Sequence, residues 1–329
     1  MKAITYARYG PPSVLQTQDV PDPQPGVNDI LIRVRAAEAT KSDCEMRSFK
    51  FSVKWFWLPL RIALGIRRPR RQILGGYFSG EIVACGSGVA NFSPGQAVFG
   101  ATGLAMGAYA EYLVLPATST ISPKPSSMSF ADAAAVPLGG LNALHFMRLA
   151  KIRPGEKVLV LGAGGSIGLH GIQIAKAMGA QVTAVDSTAK EILCRRSGAD
   201  HYIDYLREDP FQSDGLYDVI FDMVPSGAYA DRMRVLAPGG RYLSGNPRLS
   251  VMLRSLFTHL FSSRTASFAF ARESIAELRE LTKLIEEGRI RSIVDRVFPM
   301  DQAAEAHRLV ETEQRLGAIV IAMDDAIDS

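Results

Sequence analysis

One stretch constrains the fold of this chain more than any other: Lys157 to Asp186, which reads KVLVLGAGGSIGLHGIQIAKAMGAQVTAVD. A short run of Val and Leu predicts a buried strand, and a glycine-rich turn follows it. Apolar residues then recur at helical spacing up to Gly179, which suits the end of a helix. A second apolar strand ends on Asp186. This order of strand, glycine turn, helix and acid-ended strand predicts a dinucleotide-binding unit.

The glycines of the turn have a physical role in that prediction. The diphosphate of a dinucleotide must approach backbone N–H groups at a helix N-terminus, where unpaired donors and the helix dipole favour an anion. A Cβ atom in the turn would hold the phosphates away. The alternative is an ordinary loop, but the flanking strands and helix favour the nucleotide. The candidate diphosphate-binding residues are Gly162, Gly165, Ser166, Ile167 and Gly168.

Length and composition limit the number of domains, the class of protein and the partners that we expect. A chain of 329 residues predicts about two domains, and its 47% hydrophobic and 21% charged residues are typical of a soluble globular protein. The net charge of +4 gives no reason to expect a nucleic-acid partner. Cys44, Cys85 and Cys194 form no CxxC pair, which predicts neither a disulfide framework nor a zinc site. The N-terminus lacks the apolar core of a signal peptide, so we expect a cytoplasmic protein.

The hydrophobic pattern changes along the chain. Residues 1 to 120 are rich in strand patterns, such as Asp29 to Ala37, and are broken by Pro and Gly, which predicts an antiparallel, barrel-like domain. From Ser129 the pattern is helical, with an interruption expected near Pro137 to Gly140. After the nucleotide-binding stretch, strands alternate with helices. This alternation predicts an α/β fold with a doubly wound parallel sheet.

Several motifs resemble, in their order and spacing, the medium-chain dehydrogenase/reductase superfamily, in its zinc-independent, quinone-oxidoreductase-like branch. They are the GxxGxxG turn, AAAVPLGGLNALHF, GADHYIDY, YDVIFDMV, LAPGGRYLS and FPMDQAAEAHRLVETEQRLGAIVI. The resemblance covers nearly the full chain. It implies a Rossmann dinucleotide-binding domain over residues 122–288 and a GroES-like β-barrel catalytic domain over residues 1–121 and 289–329. The cofactor is then expected in the cleft between the two domains.

The resemblance also allows a prediction of whether this chain binds a catalytic zinc. Zinc-dependent relatives supply a Cys after the second strand and a His in a Gly-His-Glu segment. The corresponding stretches of this chain read Ala39-Thr40-Lys41-Ser42-Asp43 and Gly75-Gly76-Tyr77. Thr and Tyr are poor zinc ligands beside Cys and His. We therefore expect neither a catalytic zinc nor any other metal.

Without zinc, hydride transfer favours acceptors that are already activated, such as quinones and α,β-unsaturated ketones or aldehydes. The protein then contributes orientation, a dry pocket and hydrogen bonds to the developing oxyanion. The candidate catalytic residues are Thr40, Asp43 and Tyr77, with Lys41 as a further alternative. Many relatives carry Asn at the position of Thr40. The competing interpretation is that Thr40 and Asp43 only cap the turn that follows.

The cofactor is predicted to be NADPH, although NAD remains possible because of Asp186. That carboxylate sits where an acid accepts hydrogen bonds from the ribose of NAD, and it would repel a 2′-phosphate by roughly 1 to 4 kcal/mol. Against this, Lys190 and Tyr205 match positions that contact the 2′-phosphate in NADP-dependent relatives, and Ser187 can donate a hydrogen bond. The alternative roles are a solvated helix position for Lys190 and packing for Tyr205.

By resemblance, further residues lie beside the nicotinamide. They are Asn142 on a helix, Met223 and Val224 at one strand end, and Ser244, Gly245 and Asn246 at the next. Strand ends of a doubly wound sheet are where ligands bind. Ordinary core packing is the alternative for Met223 and Val224.

Two segments fit the family less well. Phe49 to Arg71 combines both tryptophans with a basic end, and Val251 to Phe261 is an apolar segment containing Arg254 and His259. Either could lie at a membrane surface, but we expect pocket lids or a subunit contact instead. The expected partners are therefore a small-molecule carbonyl or quinone substrate and a second copy of the chain. The alternative functions are a zinc-free alcohol or aldehyde dehydrogenase and a nucleotide-sensing or interaction protein.

Overall fold

The computed structural model describes residues 1–51, 57–212, 215–224, 227–245, 249–268 and 273–324. The chain divides into two compact units. Unit 1 comprises Met1–Leu138, Glu273–Glu286 and Arg291–Ser329, and unit 2 comprises Gly139–Arg272 and Glu287–Ile290. Residues 273–286, expected with the nucleotide-binding part, belong here to unit 1, where Thr282 Oγ1 lies 3.3 Å from Ser122 Oγ. The predicted domain boundaries themselves remain a prediction.

Unit 1 is built mainly of strands. Its elements, with the helix that leads into unit 2, are β1 (Lys2–Thr5), β2 (Gln16–Asp19), β3 (Asp29–Ala39), α1 (Lys41–Ser48), α2 (Trp57–Leu64), β4 (Tyr77–Cys85), β5 (Ala97–Ala101), β6 (Tyr112–Pro116), β7 (Ile121–Pro123), α3 (Phe130–Ala134) and α4 (Val136–Ala150). Strands β1 and β2 form an antiparallel pair. The predicted strand Asp29 to Ala37 is confirmed and continues to Ala39.

Unit 2 alternates strands and helices. Its elements are β8 (Lys157–Leu161), α5 (Ser166–Ala177), β9 (Gln181–Asp186), α6 (Glu191–Arg196), β10 (His201–Asp204), β11 (Tyr217–Asp222), α7 (Tyr229–Arg234), β12 (Leu236–Ser244), α8 (Leu249–Phe261) and β13 (Thr265–Phe268). The chain then returns to unit 1 with α9 (Ile275–Glu286), β14 (Val294–Pro299), α10 (Ala303–Glu311) and β15 (Ala318–Ala322).

The main sheet of unit 1 combines strands from residues 29–123 with strands from residues 294–322. Among the described residues its strand order is β14-β15-β3-β4-β5-β7, with β6 paired to β3. All its pairings are antiparallel except that of β14 with β15. Burial along β3 alternates as expected for a strand with one buried face, because Ile30, Ile32 and Val34 are buried while Arg33 is exposed.

The sheet of unit 2 is parallel and winds in two directions. Its strand order in the described part of the chain is β10-β9-β8-β11-β12-β13, and every pairing is parallel. From β8 the chain moves outward to β9 and β10, and it then returns to β11 beside β8 and moves outward the other way. The predicted doubly wound sheet is confirmed. Its winding reverses between β8 and β11.

The helical stretch after Ser129 differs from its prediction. The expected interruption near Pro137 to Gly140 is wrong, because the break falls at Ala135 and α4 runs without interruption from Val136. Pro137 is tolerated because it lies in the first turn, where a missing N–H breaks no helical hydrogen bond. A Cβ on Gly139 would lie only 2.7 Å from the carbonyl oxygen of Ser166, so glycine lets α4 pack closely against α5.

Among the described residues, no helix combines the length and apolar character needed to cross a membrane.

Candidate active site

The turn between β8 and α5 has the geometry that its glycines predict. Gly162 has a φ of +74°, a conformation that disfavours other residues. Gly165 precedes the helix with φ −82° and ψ 165° and offers no side chain to cap it. A Cβ on Gly168 would collide with the carbonyl oxygen of Gly162 and lie 2.7 Å from the Cα of Ala163. Gly168 therefore lets α5 pack tightly against the turn.

The first turn of α5 can bind an anion. Ser166, Ile167 and Gly168 begin the helix, and the N–H groups of a first helical turn have no partner inside the helix. At Gly165, the nearest atom to an added Cβ is the oxygen of Gly162 at 3.6 Å, so the protein leaves this position open. The residues present thus fit the diphosphate of a dinucleotide.

The residues predicted to select the cofactor meet at the end of β9. Asp186 accepts hydrogen bonds from the N–H groups of Gly164 and Ser187, both at 2.8 Å. Lys190 is buried, and its ammonium donates to the carbonyl oxygen of Gly164 at 3.4 Å. Tyr205 is exposed, and its N–H donates to the carbonyl oxygen of Asp186 at 3.2 Å. Asp186, Ser187, Lys190 and Tyr205 therefore share one side of the glycine turn.

The strand ends predicted beside the nicotinamide also approach this turn. A Cβ on Gly162 would lie 3.1 Å from Val224 Cγ2 and 3.8 Å from Met223 Cβ. A Cβ on Gly245 would lie 2.7 Å from Met223 Cε, so these residues are neighbours. Ser244, the last residue of β12, is buried, and Asn142 is half-buried in α4. Asn246 lies outside the described residues.

Asp222, which is not among the residues predicted from the sequence, holds the end of β11 in place. Its carboxylate accepts hydrogen bonds from Val224 N–H at 2.9 Å, Arg232 Nε at 3.0 Å and the Tyr242 hydroxyl at 2.9 Å. Burial raises the pKa of Asp222, and the guanidinium of Arg232 opposes this shift. The available signal was an acid inside the apolar strand YDVIFD, since a buried carboxylate needs a partner.

In unit 1, Thr40 and Asp43 form a capping box at the start of α1. The Thr40 hydroxyl accepts from Asp43 N–H at 3.1 Å, and Asp43 Oδ2 accepts from Thr40 N–H at 3.0 Å. The Thr40 hydroxyl also donates to Asp43 Oδ2 at 2.6 Å, and Gly75 N–H donates to Oδ1 at 3.1 Å. Burial raises the pKa of Asp43. The structure thus shows that both residues cap the helix, while a catalytic role for either residue remains a prediction.

The other two proton-donor candidates differ in their surroundings. Tyr77 is half-buried and hydrogen-bonds Glu273, and burial followed by the negative charge of Glu273 raises the pKa of its phenol. Lys41 is exposed and pairs with Glu313 at 2.6 Å. Glu273 lies more than 190 residues from Tyr77 in the sequence, and no local pattern relates the two.

Asp43 belongs to a buried polar network that also contains Tyr109, His307 and Arg47. Asp43 hydrogen-bonds Tyr109, whose hydroxyl lies 3.1 Å from His307 Nε2, and Arg47 Nη1 lies 3.2 Å from His307 Nδ1. Burial and the charge of Arg47 lower the pKa of His307 to about 3. The imidazole is therefore neutral, with Nδ1 accepting from Arg47 and Nε2–H donating to Tyr109. Arg47 also pairs with Glu311.

The described parts of the chain contain no group of three or more His, Cys, Asp or Glu side chains placed to hold a metal ion. Cys44, Cys85 and Cys194 are free thiols. The absence of zinc remains a prediction from the residues at positions 40 and 77.

Known proteins resemble this chain over its length. The family model described as an alcohol dehydrogenase GroES-like domain matches residues 26–126, and the model described as a zinc-binding dehydrogenase matches residues 197–321. A quinone oxidoreductase of Pseudomonas aeruginosa is 31% identical over 97% of this chain and 99% of its own. The chain belongs to the medium-chain dehydrogenase/reductase superfamily, in its quinone-oxidoreductase-like branch.

Two further comparisons agree with this membership. The 2-methylene-furan-3-one reductase of Solanum lycopersicum is 29% identical, over 98% of this chain and 79% of its own. The structure of the quinone oxidoreductase from Coxiella burnetii matches with a TM-score of 0.87 and 30% identity, over 98% of this chain and 99% of its own. For this medium-chain dehydrogenase/reductase, the predicted combination of a Rossmann-type parallel sheet with a GroES-like domain is confirmed.

Proposed function

We propose that this chain is a zinc-independent, NADPH-preferring oxidoreductase that transfers hydride from the nicotinamide to quinones or α,β-unsaturated carbonyl compounds. The observation that carries the proposal is topological. Gly162 follows β8 and Met223 follows β11, the adjacent strands between which the winding of the sheet reverses. Ligands of doubly wound sheets bind at that point. The names of the quinone oxidoreductase and furanone reductase relatives support the substrate class.

The nicotinamide, when bound, supplies the hydride. Residues of this chain bind the cofactor and complete the reaction. The N–H groups of Ser166, Ile167 and Gly168 would hold the diphosphate, with Gly162 and Gly165 keeping the approach open. Asn142, Met223, Val224, Ser244 and Gly245 are proposed to line the nicotinamide site. Orientation of this kind can supply several kcal/mol of the barrier reduction, on the order of 7 to 11 in well-aligned cases.

The reduced substrate also needs a proton. Hydride addition to carbon leaves negative charge on the carbonyl or quinone oxygen, and one proton must follow. Thr40, Asp43 and Tyr77 remain the proposed sources. The Thr40 hydroxyl and Asp43 carboxyl form one hydrogen-bonded pair, and a buried carboxyl with a raised pKa retains its proton more readily. Tyr77 and Glu273 form the second such pair.

The NADPH preference rests on Lys190 together with the environment of Asp186. Two backbone N–H groups already donate to the Asp186 carboxylate, one to each oxygen, which leaves it fewer lone pairs to accept from the ribose hydroxyls of NAD. Lys190 is near the same turn and carries the positive charge that a 2′-phosphate requires. Ser187 and Tyr205 would add hydrogen bonds.

Replacing Lys190 with alanine should weaken NADPH binding roughly 10- to 100-fold, the value of a charge-assisted hydrogen bond, and leave NADH binding unchanged. Asp186→Asn should instead strengthen NADPH binding, because it removes the charge that repels the 2′-phosphate and keeps an acceptor for Gly164 N–H. Titration of both cofactors by fluorescence measures this. Lys176→Ala, at a half-buried lysine of the same unit that pairs with Asp200, is the matched control. Unchanged NADPH affinity in Lys190→Ala would refute the preference.

The proposed reaction is tested by a panel of quinones, enones and simple aldehydes with NADPH. We expect quinones or enones to give kcat/KM values at least about tenfold above those of aldehydes, because Thr40 and Tyr77 stand in the stretches where zinc-dependent relatives supply Cys and His. Metal analysis of the same preparation should find no stoichiometric zinc. Turnover of aldehydes alone would indicate an alcohol or aldehyde dehydrogenase, and NADPH binding without turnover would indicate a sensing protein. A homodimer and a cytoplasmic location also remain proposals.

A further inference from the structure

An apolar surface with a basic border lies on α2 and the turn after it; we call it the α2 patch. Its apolar residues are Trp57 (49% exposed), Leu58 (61%), Ile62 (55%) and Ile66 (62%). Its basic residues are the exposed Arg67, Arg68, Arg70 and Arg71. Large apolar side chains exposed singly are ordinary, whereas a cluster bordered by charge marks an interaction surface.

The inner side of α2 is fixed to unit 1, which determines the side that faces outward. The Arg61 guanidinium lies over the rings of Phe49 and Tyr9, at 4.2 and 4.6 Å from their centroids. The Tyr9 hydroxyl lies within donating distance of two carbonyl oxygens, that of Leu64 at 3.0 Å and that of Gly65 at 2.9 Å. The Phe49 ring also contacts Trp57, with centroids 6.1 Å apart. These contacts hold the helix while its apolar side stays exposed.

The turn after α2 gathers the arginines at one end of the apolar surface. Gly65 has a φ of +120°, and a Cβ there would collide with the carbonyl oxygen of Arg68. The N–H of Arg70 donates to Leu64 O at 2.9 Å, and Arg71 donates to Ala105 O. The turn is thus folded back on the helix and held in place. Between Glu45 and Glu81 the sequence contains no acidic residue to offset the arginines.

We propose that the α2 patch docks the protein on the surface of an anionic lipid bilayer. Charge complementarity selects this occupant, because four arginines beside Trp, Leu and Ile side chains match a surface that is negative outside and apolar beneath. A second copy of the chain fits poorly, since a twofold contact centred on the patch would bring its arginines together. The expectation of a lid or subunit contact for this segment remains the competing prediction, and residues 52–56 lie outside the described part.

Each arginine is expected to contribute roughly fivefold to the affinity for a strongly anionic surface. The apolar side chains add affinity by inserting among the headgroups, and they keep the protein bound when salt weakens the charge attraction. The inference does not depend on the proposed reaction. If that reaction is correct, docking would bring the enzyme to apolar quinones and enones that partition into lipid.

The test is co-sedimentation of the full chain with sucrose-loaded vesicles of phosphatidylcholine alone or with phosphatidylserine at about one third. We expect sedimentation only with the anionic vesicles. The variant Arg67→Gln/Arg68→Gln/Arg70→Gln should lose roughly 100-fold in affinity, and Leu58→Ser/Ile62→Ser should dissociate at lower salt than the wild type. These side chains are exposed, so folding should be unaffected. Arg71 is left unchanged because it bonds Ala105.

The matched control is Arg195→Gln/Arg207→Gln/Arg234→Gln, which removes the same charge from exposed positions in unit 2. It should sediment like the wild type. The proposal is overturned if the wild type stays in the supernatant, or if the control variant is released as readily as the patch variant. It is also overturned if gel filtration shows that the patch substitutions convert a dimer to a monomer, because the patch would then be a subunit contact. Loss of catalytic activity in every variant would not change what the sedimentation says about docking, whether that result supports the proposal or overturns it.

Discussion

Replacing Arg232 with alanine should lower the free energy of unfolding by about 3 to 5 kcal/mol, because the change leaves the carboxylate of Asp222 buried without its counter-charge. The two side chains are almost fully buried, and Arg232 Nε lies 3.0 Å from Asp222 Oδ2. The guanidinium also packs on the Phe211 ring, 4.9 Å from its centroid. A fall in Tm on the order of 10 °C should follow in thermal unfolding monitored by circular dichroism.

Arg234→Ala is the matched control for that measurement. It lies on the same helix, α7, and pairs with Asp231 at 3.3 Å at an exposed site. Surface pairs of this kind contribute about 0 to 1 kcal/mol, so its Tm should hardly change. Adding Asp222→Asn to Arg232→Ala should recover part of the loss, because the unpaired charge is removed. Equal effects of Arg232→Ala and Arg234→Ala would contradict the role given to the buried pair.

Gly165→Ala and Gly168→Ala should separate nucleotide binding from stability within one turn. The methyl group of Gly168→Ala collides with the backbone of the turn, and overpacking of this kind costs about 1 to 3 kcal/mol. The methyl group of Gly165→Ala meets no protein atom closer than 3.6 Å, and φ is already negative there. Gly165→Ala should therefore keep the Tm of the wild type and weaken NADPH binding about tenfold or more, because it blocks the approach of the diphosphate.

Calorimetric titration with NADPH and thermal unfolding measure the two effects. Gly215→Ala serves as the control, because an added Cβ at Gly215 meets no atom within 4 Å and the residue lies outside the turn. If Gly165→Ala bound NADPH as tightly as the wild type, the diphosphate would not approach this turn, and the proposed cofactor site would be wrong.

Local patterns predicted the parts of the molecule that local forces determine. The stretch from Lys157 to Asp186 carries its strand, turn and helix signals within thirty residues, and the structure confirms each of them. The capping box of Thr40 and Asp43 spans only four residues, and the sequence offers it as an alternative for the same reason. The pattern places the helix break too late in the sequence, because Pro137 lies in the first turn of α4, where proline does not interrupt a helix.

The parts that the sequence could not predict depend on distant residues. Arg47 reaches His307 across 260 positions, and Tyr109 reaches it across 198. The tendency of His307 to remain neutral arises only when those partners enclose it. The bond from Asp186 to Gly164 N–H likewise appears only once β9 lies beside β8. The residues of the proposed cofactor site could therefore be named from the family resemblance, whereas their hydrogen bonds could not.

The position of β15 has a consequence for how the protein is made. This strand lies between β14 and β3, and all five of its residues are buried. A ribosome reaches Ala318 only after the whole parallel sheet of unit 2 has been synthesised. Until then the edge of β3 that later pairs with β15, at Ala36 to Ala39, has no partner strand. Newly made chains therefore carry an open strand edge through most of their synthesis, which is the kind of surface that chaperones shield from aggregation.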